Sequence, residues 1–209
     1  MIAGVLHLSR ADVKALKITD VYSLHRVVYD LFNDVRSAAE KQASVPSGIL
    51  YADKGGDFHG RKILLLSDRQ PTIPEHGELQ IKKVADGFLD YENYRFEVIM
   101  NPTKRDKKTK KLIAIKKLSD EEDTTRQKIA AWFIEKAPKW GFEVSHGYVE
   151  VREIEVKRFK KGKHDLTQAQ AKILGCLTVT DKTKFAQSFQ NGIGRGRAFG
   201  CGLLQISPL

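Results

Sequence analysis

The chain is poor in the residue that holds small secreted proteins together. Cysteine occurs only twice among 209 residues, at Cys176 and Cys201, and the two form no Cys-x-x-Cys pair. This scarcity excludes a disulfide framework and gives no support to a zinc site. No apolar run approaches the roughly 20 residues of a membrane span, so no membrane partner is expected.

The first residues lack the features of a secretion signal. The start, MIAGVLHLSRADVKAL, has no positive beginning, no long apolar stretch and no small-residue cleavage site. Together with the low cysteine content, this predicts a reduced, cytoplasmic protein. A hydrophobic content of 41% is sufficient for a sizeable core and argues against wholesale disorder.

Signals of the common hydrolases are missing as well. The six histidines show no i,i+4 pair of the kind that ligates a metal on one helix, and no Ser-His-Asp arrangement is recognisable. We therefore expect neither a metal nor a cofactor.

Positive charge is abundant, and it is unevenly distributed. The net charge is +10, with −1 in residues 1–100 and +11 in residues 101–209. A merely soluble surface spreads its charges more evenly, so this asymmetry predicts a protein that grips a polyanion with its second half.

Strand and helix patterns alternate along both halves of the chain, which predicts an α+β fold of two tandem ferredoxin-like (βαββαβ) domains. We place the domains at residues 1–88 and 94–209, although the second helix of the first domain is not visible. The first half shows strands at AGVLHLS (3–9), GILYA (48–52), KILLLS (62–67) and 79–84, and a helix at 21–32 capped by Asp20.

The second half begins with the apolar run YRFEVIM (94–100). We predict that residues 94–117 form a β-hairpin with a charged tip, followed by a helix that Ser119 or Asp120 caps. Further predicted elements are a long strand within 142–159, a central strand at 172–180, a short helix at TKFAQSFQN (183–191), and a glycine-rich loop before the last strand.

One helix carries side chains that can do chemistry. At 100° per residue, Tyr22, His25, Arg26 and Tyr29 share a side of the helix next to its apolar stripe. Taken from spacing alone, this is more often the pattern of an ordinary amphipathic helix with half-exposed polar residues. Histidine transfers protons near neutral pH, and RNA brings its own nucleophile, the 2′-OH, so such a face suits metal-free RNA cleavage.

Two basic runs and a glycine-rich loop are candidates for binding a polyanion. In GIGRGRAFGCG (192–202), Gly194 and Gly196 let backbone N–H groups approach phosphates, and Arg195 and Arg197 add charge. The loop matches no nucleotide-cofactor motif, and a mobile connector or solvated hairpin tips explain these segments equally well. The candidate RNA contacts in the basic runs are Lys104, Arg105, Lys107, Lys108, Lys110, Lys111, Lys157, Arg158, Lys160 and Lys161.

Three blocks together resemble a known family. GIGRGRAFGCGLLQISPL (192–209) resembles the glycine-rich loop and last strand of the repeat-associated RNA-binding superfamily. DVYSLHRVVYDLF (20–32) and MNPTK (100–104) are similar to the first helix and the Asn-Pro-x-Lys segment of one branch. That branch is the CasE family, the CRISPR precursor-RNA endoribonucleases of the type I-E Cascade complex. The region 35–93 adds little to the resemblance.

The resemblance implies a specific activity. Members of the family are two tandem ferredoxin-like domains that bind the stem-loop of a CRISPR repeat and cut at the 3′ base of the stem without metal. The cut leaves a 5′-hydroxyl and a 2′,3′-cyclic phosphate, and the product stays within Cascade. The implied partners are the repeat RNA and other Cascade subunits, and we expect a monomer when the protein is isolated.

The family's residues map onto this chain one by one. The resemblance implies that His25 transfers a proton, although it leaves open which proton of the reaction that is. It also implies that Tyr22 positions the 2′-OH or the phosphate. Arg26 is expected at the scissile region and Arg197 on the RNA. Two alternatives remain: a non-catalytic RNA-binding subunit of the same superfamily, and an unrelated binder of duplex DNA, which no basic helix-turn-helix pattern supports.

Overall fold

The strands form two main antiparallel sheets, one from each half of the chain. The computed structural model describes residues 1–43, 45–115, 122–162 and 164–209. The strands are β1 (Ile2–Leu8), β2 (Ile49–Gly56), β3 (Arg61–Ser67), β4 (Glu78–Lys83), β5 (Asn93–Met100), β6 (Thr103–Arg105), β7 (Leu112–Ala114), β8 (Phe142–Glu143), β9 (Val149–Lys161), β10 (His164–Val179) and β11 (Gln205–Pro208). The helices are α1 (Arg10–Ala15), α2 (Val21–Asp30), α3 (Ala38–Gln42), α4 (Glu122–Lys136) and α5 (Lys182–Asn191).

Both sheets have the strand order of a ferredoxin-like domain. The first runs β2-β3-β1-β4, and the second runs β11-β5-β10-β9, with β8 paired to the far end of β10. Numbered within each half, both orders read 2-3-1-4 or its reverse, which is the order of a βαββαβ unit. The predicted fold of two tandem ferredoxin-like domains is therefore confirmed. In the first unit, residues 68–77 connect β3 to β4 without a helix.

Each sheet buries one face under its own helices. In the first unit, Leu24 and Val28 of α2 pack on Leu6, Ile63 and Tyr51 of the sheet. The burial follows the 3.6-residue period that the sequence shows for this helix, and the predicted apolar stripe is confirmed.

The second unit has an aromatic core. Phe133 of α4 is fully buried, with ring centroids 5.4 Å from Phe96, 5.5 Å from Trp140 and 6.3 Å from Phe142. Phe185 of α5 joins the same cluster. The two helices of this unit are thus held to one sheet face by large rings, which bury much apolar area each.

The two sheets also pack against each other. Leu50 and Leu66 of the first unit form one buried cluster with Ile99, Phe189 and Leu203 of the second. In a strand, successive side chains point to opposite faces, so β2 and β3 are buried on both. This explains why ILYA and ILLL are continuous apolar runs rather than alternating ones.

The prediction of one hairpin over 94–117 is wrong. β5 pairs with β10 on one side and with β11 on the other, so neither of its edges is open to the segment that follows. The charged tip forms a separate two-stranded hairpin of β6 and β7, after a break at Pro102. Residues 116 and 117, and the predicted helix caps Ser119 and Asp120, lie outside the described residues.

The long strand predicted within 142–159 is confirmed as β9, which begins at Val149 after β8 ends at Glu143 and a 3-10 turn covers His146–Tyr148. The strand predicted at 172 starts eight residues earlier, because β9 pairs with β10 from His164 onward. The Gln/Ala alternation of this part is not hydrophobic enough to predict a strand.

The segment between the two units carries no helix or strand over residues 84–92. It is held in place, since the Tyr94 hydroxyl donates to the Phe88 carbonyl at 2.8 Å. The boundaries at 88 and 94 stay a prediction. Within the described residues, no helix combines the length and the apolar character needed to cross a bilayer.

Removing the central ring of the second core tests this packing. We expect Phe133→Ala to lower the free energy of unfolding by about 3–5 kcal/mol, because it deletes a fully buried ring and leaves a cavity. Urea denaturation measures the loss. Ile73→Ala is the control: its side chain is 95% exposed, and the change should stay within about 0.5 kcal/mol. Equal losses in the two variants would contradict the assignment of Phe133 to the core.

Candidate active site

Helix α2 presents the predicted chemical face. The Asp20 carboxylate accepts a hydrogen bond from the Ser23 backbone N–H at 2.7 Å, and this cap starts the helix where the sequence predicts. Tyr22 and His25 are half-buried, and Arg26 is exposed with its guanidinium 5.8 Å from the centre of the Tyr22 ring. The structure therefore brings these three predicted site residues together.

His25 lies among three aromatic rings. The centroid distances are 4.2 Å to Tyr29, 5.4 Å to Phe199 and 5.9 Å to Tyr22. Tyr29 is itself anchored, because its hydroxyl is 3.0 Å from the Ser47 hydroxyl just before β2. The imidazole is thus held between its own helix and the glycine-rich loop. Its Nδ1 atom is buried and has no hydrogen-bond partner in the described part of the chain.

This setting favours the neutral imidazole. Burial lowers the pKa of His25 below its ordinary value, and the positive charge of Lys161 acts in the same direction. The Ala198 carbonyl, which stabilises a ring N–H, and the Asp30 carboxylate act against the shift. At neutral pH the ring is therefore in the form that accepts a proton.

The glycine-rich loop closes over this face and is tied down from both sheets. The Tyr51 hydroxyl on β2 donates to the Ala198 carbonyl at 3.3 Å, and the Gln170 amide on β10 donates to the Phe199 carbonyl at 3.2 Å. Gly196 has φ +80°, and a Cβ there would lie 2.6 Å from the Gln168 amide nitrogen. A side chain at this position would be strained by the positive φ and would have to displace the buried Gln168 amide.

The middle of the loop offers free hydrogen-bond donors. The backbone N–H groups of Gly194, Arg195 and Gly196 donate to no acceptor in the described residues. Gly194 and Gly196 both have left-handed φ values, a geometry in which successive N–H groups can face one anion.

A cleft of about 890 Å³ runs beside this loop. Tyr29 and Phe199, which contact His25, and Ala198, whose carbonyl faces it, form part of its wall. Its charged lining consists of cations and, among the described residues, includes no carboxylate. The five cations are Arg36, Lys41, Lys161, Arg195 and Arg197.

Arg36 and Lys41 were missed by the sequence analysis. They lie in the polar stretch after α2, and nothing in its pattern separates them from ordinary surface cations. Asp34 holds both, with its carboxylate oxygens 3.0 Å from Arg36 Nε and 3.3 Å from Lys41 Nζ. The hydrogen bonds from Arg36 hold the pKa of the Asp34 carboxyl far below its usual range. Two cations against one carboxylate leave a net positive charge on this wall.

The charged hairpin lies elsewhere and does not line the cleft. Its basic residues are exposed: Lys104, Arg105, Lys107, Lys108, Lys110 and Lys111. Trp132 of α4 fixes its base by donating from Nε1 to the Thr103 carbonyl at 3.0 Å. The Asp106 carboxylate accepts from the backbone N–H of Lys108 and Thr109, which shapes the tip.

The basic run at the end of β9 is divided between the two faces of its strand. Lys157 and Lys161 share a side with buried Phe159, whose ring is 4.9 Å from Phe199. Lys161 lines the cleft, whereas Lys157 pairs with Glu155 outside it. Arg158 and Lys160 are exposed on the opposite face, and Lys160 Nζ is 3.9 Å from the Asp165 carboxylate. Only one of the four predicted contacts is therefore brought to the site.

A second concavity, of about 760 Å³, lies at the β2–β3 turn. It has mixed charges, since Asp12, Asp57 and Glu78 line it beside Lys54 and Arg61. This makes it less suited to a polyanion than the first cleft. No group of three or more His, Cys, Asp or Glu side chains is arranged to hold a metal in the described ranges. The expectation of a metal-free site stays a prediction.

Comparison with known proteins identifies the family. The model of the CRISPR associated protein family matches residues 5–208. The chain belongs to this family. The membership predicted from three short blocks is thereby confirmed.

The relatives are consistent with the fold. Over 127 residues the chain is 32% identical to the CRISPR-associated endoribonuclease Cse3 of Thermus thermophilus, a match that spans 56% of each protein. The structure of Thermus thermophilus Cse3 bound to an RNA representing a pre-cleavage complex superposes with a TM-score of 0.76 at 19% identity, covering 99% of this chain and 98% of the other. Cas6e from Escherichia coli K-12 gives 0.68 at 20% identity, with both chains covered completely.

The aromatic setting of His25 can be tested by titration. We expect Phe199→Ala to raise the pKa of His25 towards its ordinary value of about 6.5, because the ring helps to exclude water from the imidazole. NMR titration of the His25 ring protons measures the change. Phe58→Ala, which removes an exposed ring outside the site, is the control and should leave this pKa unchanged.

The same shift has a consequence for stability. Since the folded pKa is lowered, the unfolded chain binds more protons between the two pKa values, and the free energy of unfolding decreases as pH falls from about 6.5 through that window. Above a pH of about 6.5, His25 is neutral in both states and the free energy of unfolding no longer changes with its protonation. A His25 pKa above 6.5 in the wild type would contradict the proposed burial effect.

Proposed function

We propose that the chain is a metal-independent endoribonuclease that binds the stem-loop of a CRISPR repeat and cuts precursor RNA at the 3′ base of the stem. The observation that carries this proposal is the cleft lined by five cations and, among the described residues, no carboxylate, whose wall residues Tyr29 and Phe199 contact the neutral ring of His25. Such a cleft attracts a phosphodiester backbone and places a proton acceptor beside it.

The chemistry requires only groups that the chain and RNA supply. The 2′-OH next to the scissile phosphate loses its proton and attacks phosphorus, and the P–O5′ bond breaks. The products are a 2′,3′-cyclic phosphate and a 5′-hydroxyl, whose oxygen takes up a proton. Side chains need only move protons and stabilise the charge that develops on the phosphate.

His25 is assigned to proton transfer and Tyr22 to positioning the 2′-OH or the phosphate. The lowered pKa of His25 keeps the ring neutral, which supports a role in taking the proton from the 2′-OH. Arg26, exposed beside the Tyr22 ring, is assigned to the scissile region. These assignments come from the resemblance and are supported by the proximity of the three residues.

The glycine-rich loop is assigned to the phosphate. Its free N–H groups at 194–196 and the guanidinium groups of Arg195 and Arg197 can donate to non-bridging oxygens as their charge increases. Because the loop is tied to both sheets, these donors need little reorganisation during the reaction.

Exposed cations outside the cleft are assigned to the stem. A-form RNA is recognised mainly by its shape and backbone, and a protruding basic hairpin suits that task. In this division of work, residues 1–88 supply the helix with Tyr22 and His25, and residues 94–209 supply most of the grip on the stem. The product is expected to stay bound and to enter Cascade with its other subunits.

The relatives support the proposal. A curated relative is named an endoribonuclease, and one of the superposed structures was solved with RNA. The chain spans about half the length of that curated relative in their match, so its activity and substrate are carried over only as a proposal.

Replacement of the histidine tests the mechanism. We expect His25→Ala to lower the cutting rate by roughly 10²- to 10⁴-fold, with little change in RNA affinity, because it removes a proton-transfer group and no cation. Single-turnover cleavage of repeat RNA in EDTA measures the rate, and filter binding measures the affinity. His146→Ala, at an exposed histidine outside the cleft, is the matched control and should cut at the wild-type rate.

The outcomes separate the candidate functions. Full activity of His25→Ala, or loss of wild-type cutting in EDTA, would overturn the mechanism. Tight binding by the wild type without any product would instead assign the chain to the non-catalytic RNA-binding alternative. Similar affinity for RNA and DNA duplexes would favour a general duplex binder, since the 2′-OH contacts distinguish the two.

The charged hairpin should affect affinity rather than chemistry. We expect the double variant Lys107→Ala/Lys108→Ala to weaken RNA binding and to flatten its salt dependence by up to about one slope unit per lost phosphate contact. Affinity measured over a range of salt concentrations tests this. The exposed Lys14 on α1 provides a control, and a Lys14→Ala variant should keep the wild-type slope. An unchanged slope in the double variant would remove the hairpin from the RNA interface.

A further inference from the structure

The cleft has aromatic walls that the proposed chemistry does not use. Trp140 lines it in addition to Tyr29 and Phe199. One part of the indole packs on the core, with centroids 5.5 Å from Phe133 and 6.0 Å from Phe142, which fixes its orientation. The side chain is only half-buried, so part of the indole is open to the cleft.

Two cations of the cleft have no role in the chemistry or in the grip on the stem as proposed above. They are Arg36 and Lys41, which come from the first unit, whereas the cations assigned to the stem lie outside the cleft. Asp34 restrains both side chains, and Arg36 also donates to the Val45 carbonyl at 3.1 Å. Two restrained cations on one wall are therefore already placed for phosphate contacts, at reduced entropic cost.

This combination is typical of a site for single-stranded RNA. The bases of a paired stem are stacked inside the duplex and are not available to an aromatic side chain. Unpaired bases stack on aromatic rings, while cations follow the backbone. The volume of about 890 Å³ is at the upper end of the range for ligand sites.

We infer that the cleft binds the unpaired RNA on the 3′ side of the cut, with Trp140 stacked on a base and with Arg36 and Lys41 on its phosphates. The inference rests on the proposed function, because it takes the cut to lie at the 3′ base of the stem. The strand on the 5′ side of that position is paired within the stem. On the 3′ side of the scissile phosphate the RNA continues as a single strand. The cleft is close to that phosphate, because its wall residues Tyr29 and Phe199 contact His25.

The binding site would hold the leaving strand during the reaction. Its 5′ oxygen is the leaving group, so contacts further along the strand help to align the P–O5′ bond for in-line displacement. After the cut, the strand loses its covalent link to the bound stem and the gain in effective concentration that this link gives. The strand is therefore released while the stem product stays bound.

The test compares two repeat RNAs that share one stem and differ only in the length of the 3′ flank. One carries a single nucleotide after the cut, and the other carries the complete flank. We expect the complete flank to raise kcat/KM by roughly 5- to 100-fold, the range expected for stacking of a base on one aromatic ring. In Trp140→Leu the ratio between the two RNAs should fall towards one.

Further variants separate stacking from charge and from folding. Trp140→Phe keeps a ring and should retain part of the ratio. Arg36→Gln/Lys41→Gln should lower the ratio and its salt dependence, whereas Lys14→Gln should change neither. Because Trp140→Phe keeps an aromatic ring and Arg36→Gln/Lys41→Gln leaves Trp140 in place, they test the site even if Trp140→Leu unfolds in circular dichroism.

The outcomes distinguish failure of this inference from failure of the proposed endoribonuclease function. Equal kcat/KM for the two RNAs in the wild type would overturn the inference and leave the endonuclease proposal intact. The inference would also be overturned if Trp140→Phe and Arg36→Gln/Lys41→Gln both kept the wild-type ratio of kcat/KM between the two RNAs and Trp140→Leu either kept it too or unfolded. The flank would then lie outside the cleft. If a 5′ flank raised kcat/KM instead, and these variants abolished that increase, the cleft would bind RNA on the 5′ side and the inference would be wrong. Failure to cut either RNA would overturn the proposed function itself.

Discussion

The packing of the two sheets against each other determines the rest of this molecule. Leu50 and Leu66 contribute to a buried cluster that also contains Ile99 and Leu203, so the two units meet through side chains rather than through a linker alone. Strand β2 takes part on both of its faces. Its Tyr51 packs under α2 and donates to the Ala198 carbonyl, which ties the glycine-rich loop of the second unit to the helix of the first. Without this contact between sheets, His25 would not meet Phe199.

Much of the fold can be predicted from sequence because its signals are local. The Asp20 cap and the apolar stripe at 3.6-residue spacing define α2, and the continuous apolar runs identify strands buried on both faces. The predictions failed where pairing partners decide the outcome. Nothing local shows that β5 pairs with β10 and β11 rather than with the segment after it, or that β9 recruits the Gln/Ala stretch of β10.

The site was predictable in its chemistry and not in its surroundings. Tyr22, His25 and Arg26 share one helix, so their proximity follows from the helical period. The burial that lowers the pKa of His25 depends on Phe199, which lies more than 170 positions further along the chain and reaches the helix only through tertiary packing. The net charge of each half was similarly incomplete as a guide to which residues line the cleft. Residues 1–100 have a net charge of −1, yet two of the five cleft cations, Arg36 and Lys41, come from them.

The small hairpin of β6 and β7 is built differently from the rest of the second unit. Its strands pair with each other and, among the described residues, with no strand of the main sheet. A change in its length or sequence therefore shifts no register in the β11-β5-β10-β9 sheet and disturbs no residue near His25. The hairpin that we propose to contact the RNA stem is in this way free to diverge, while the residues around His25 stay constant.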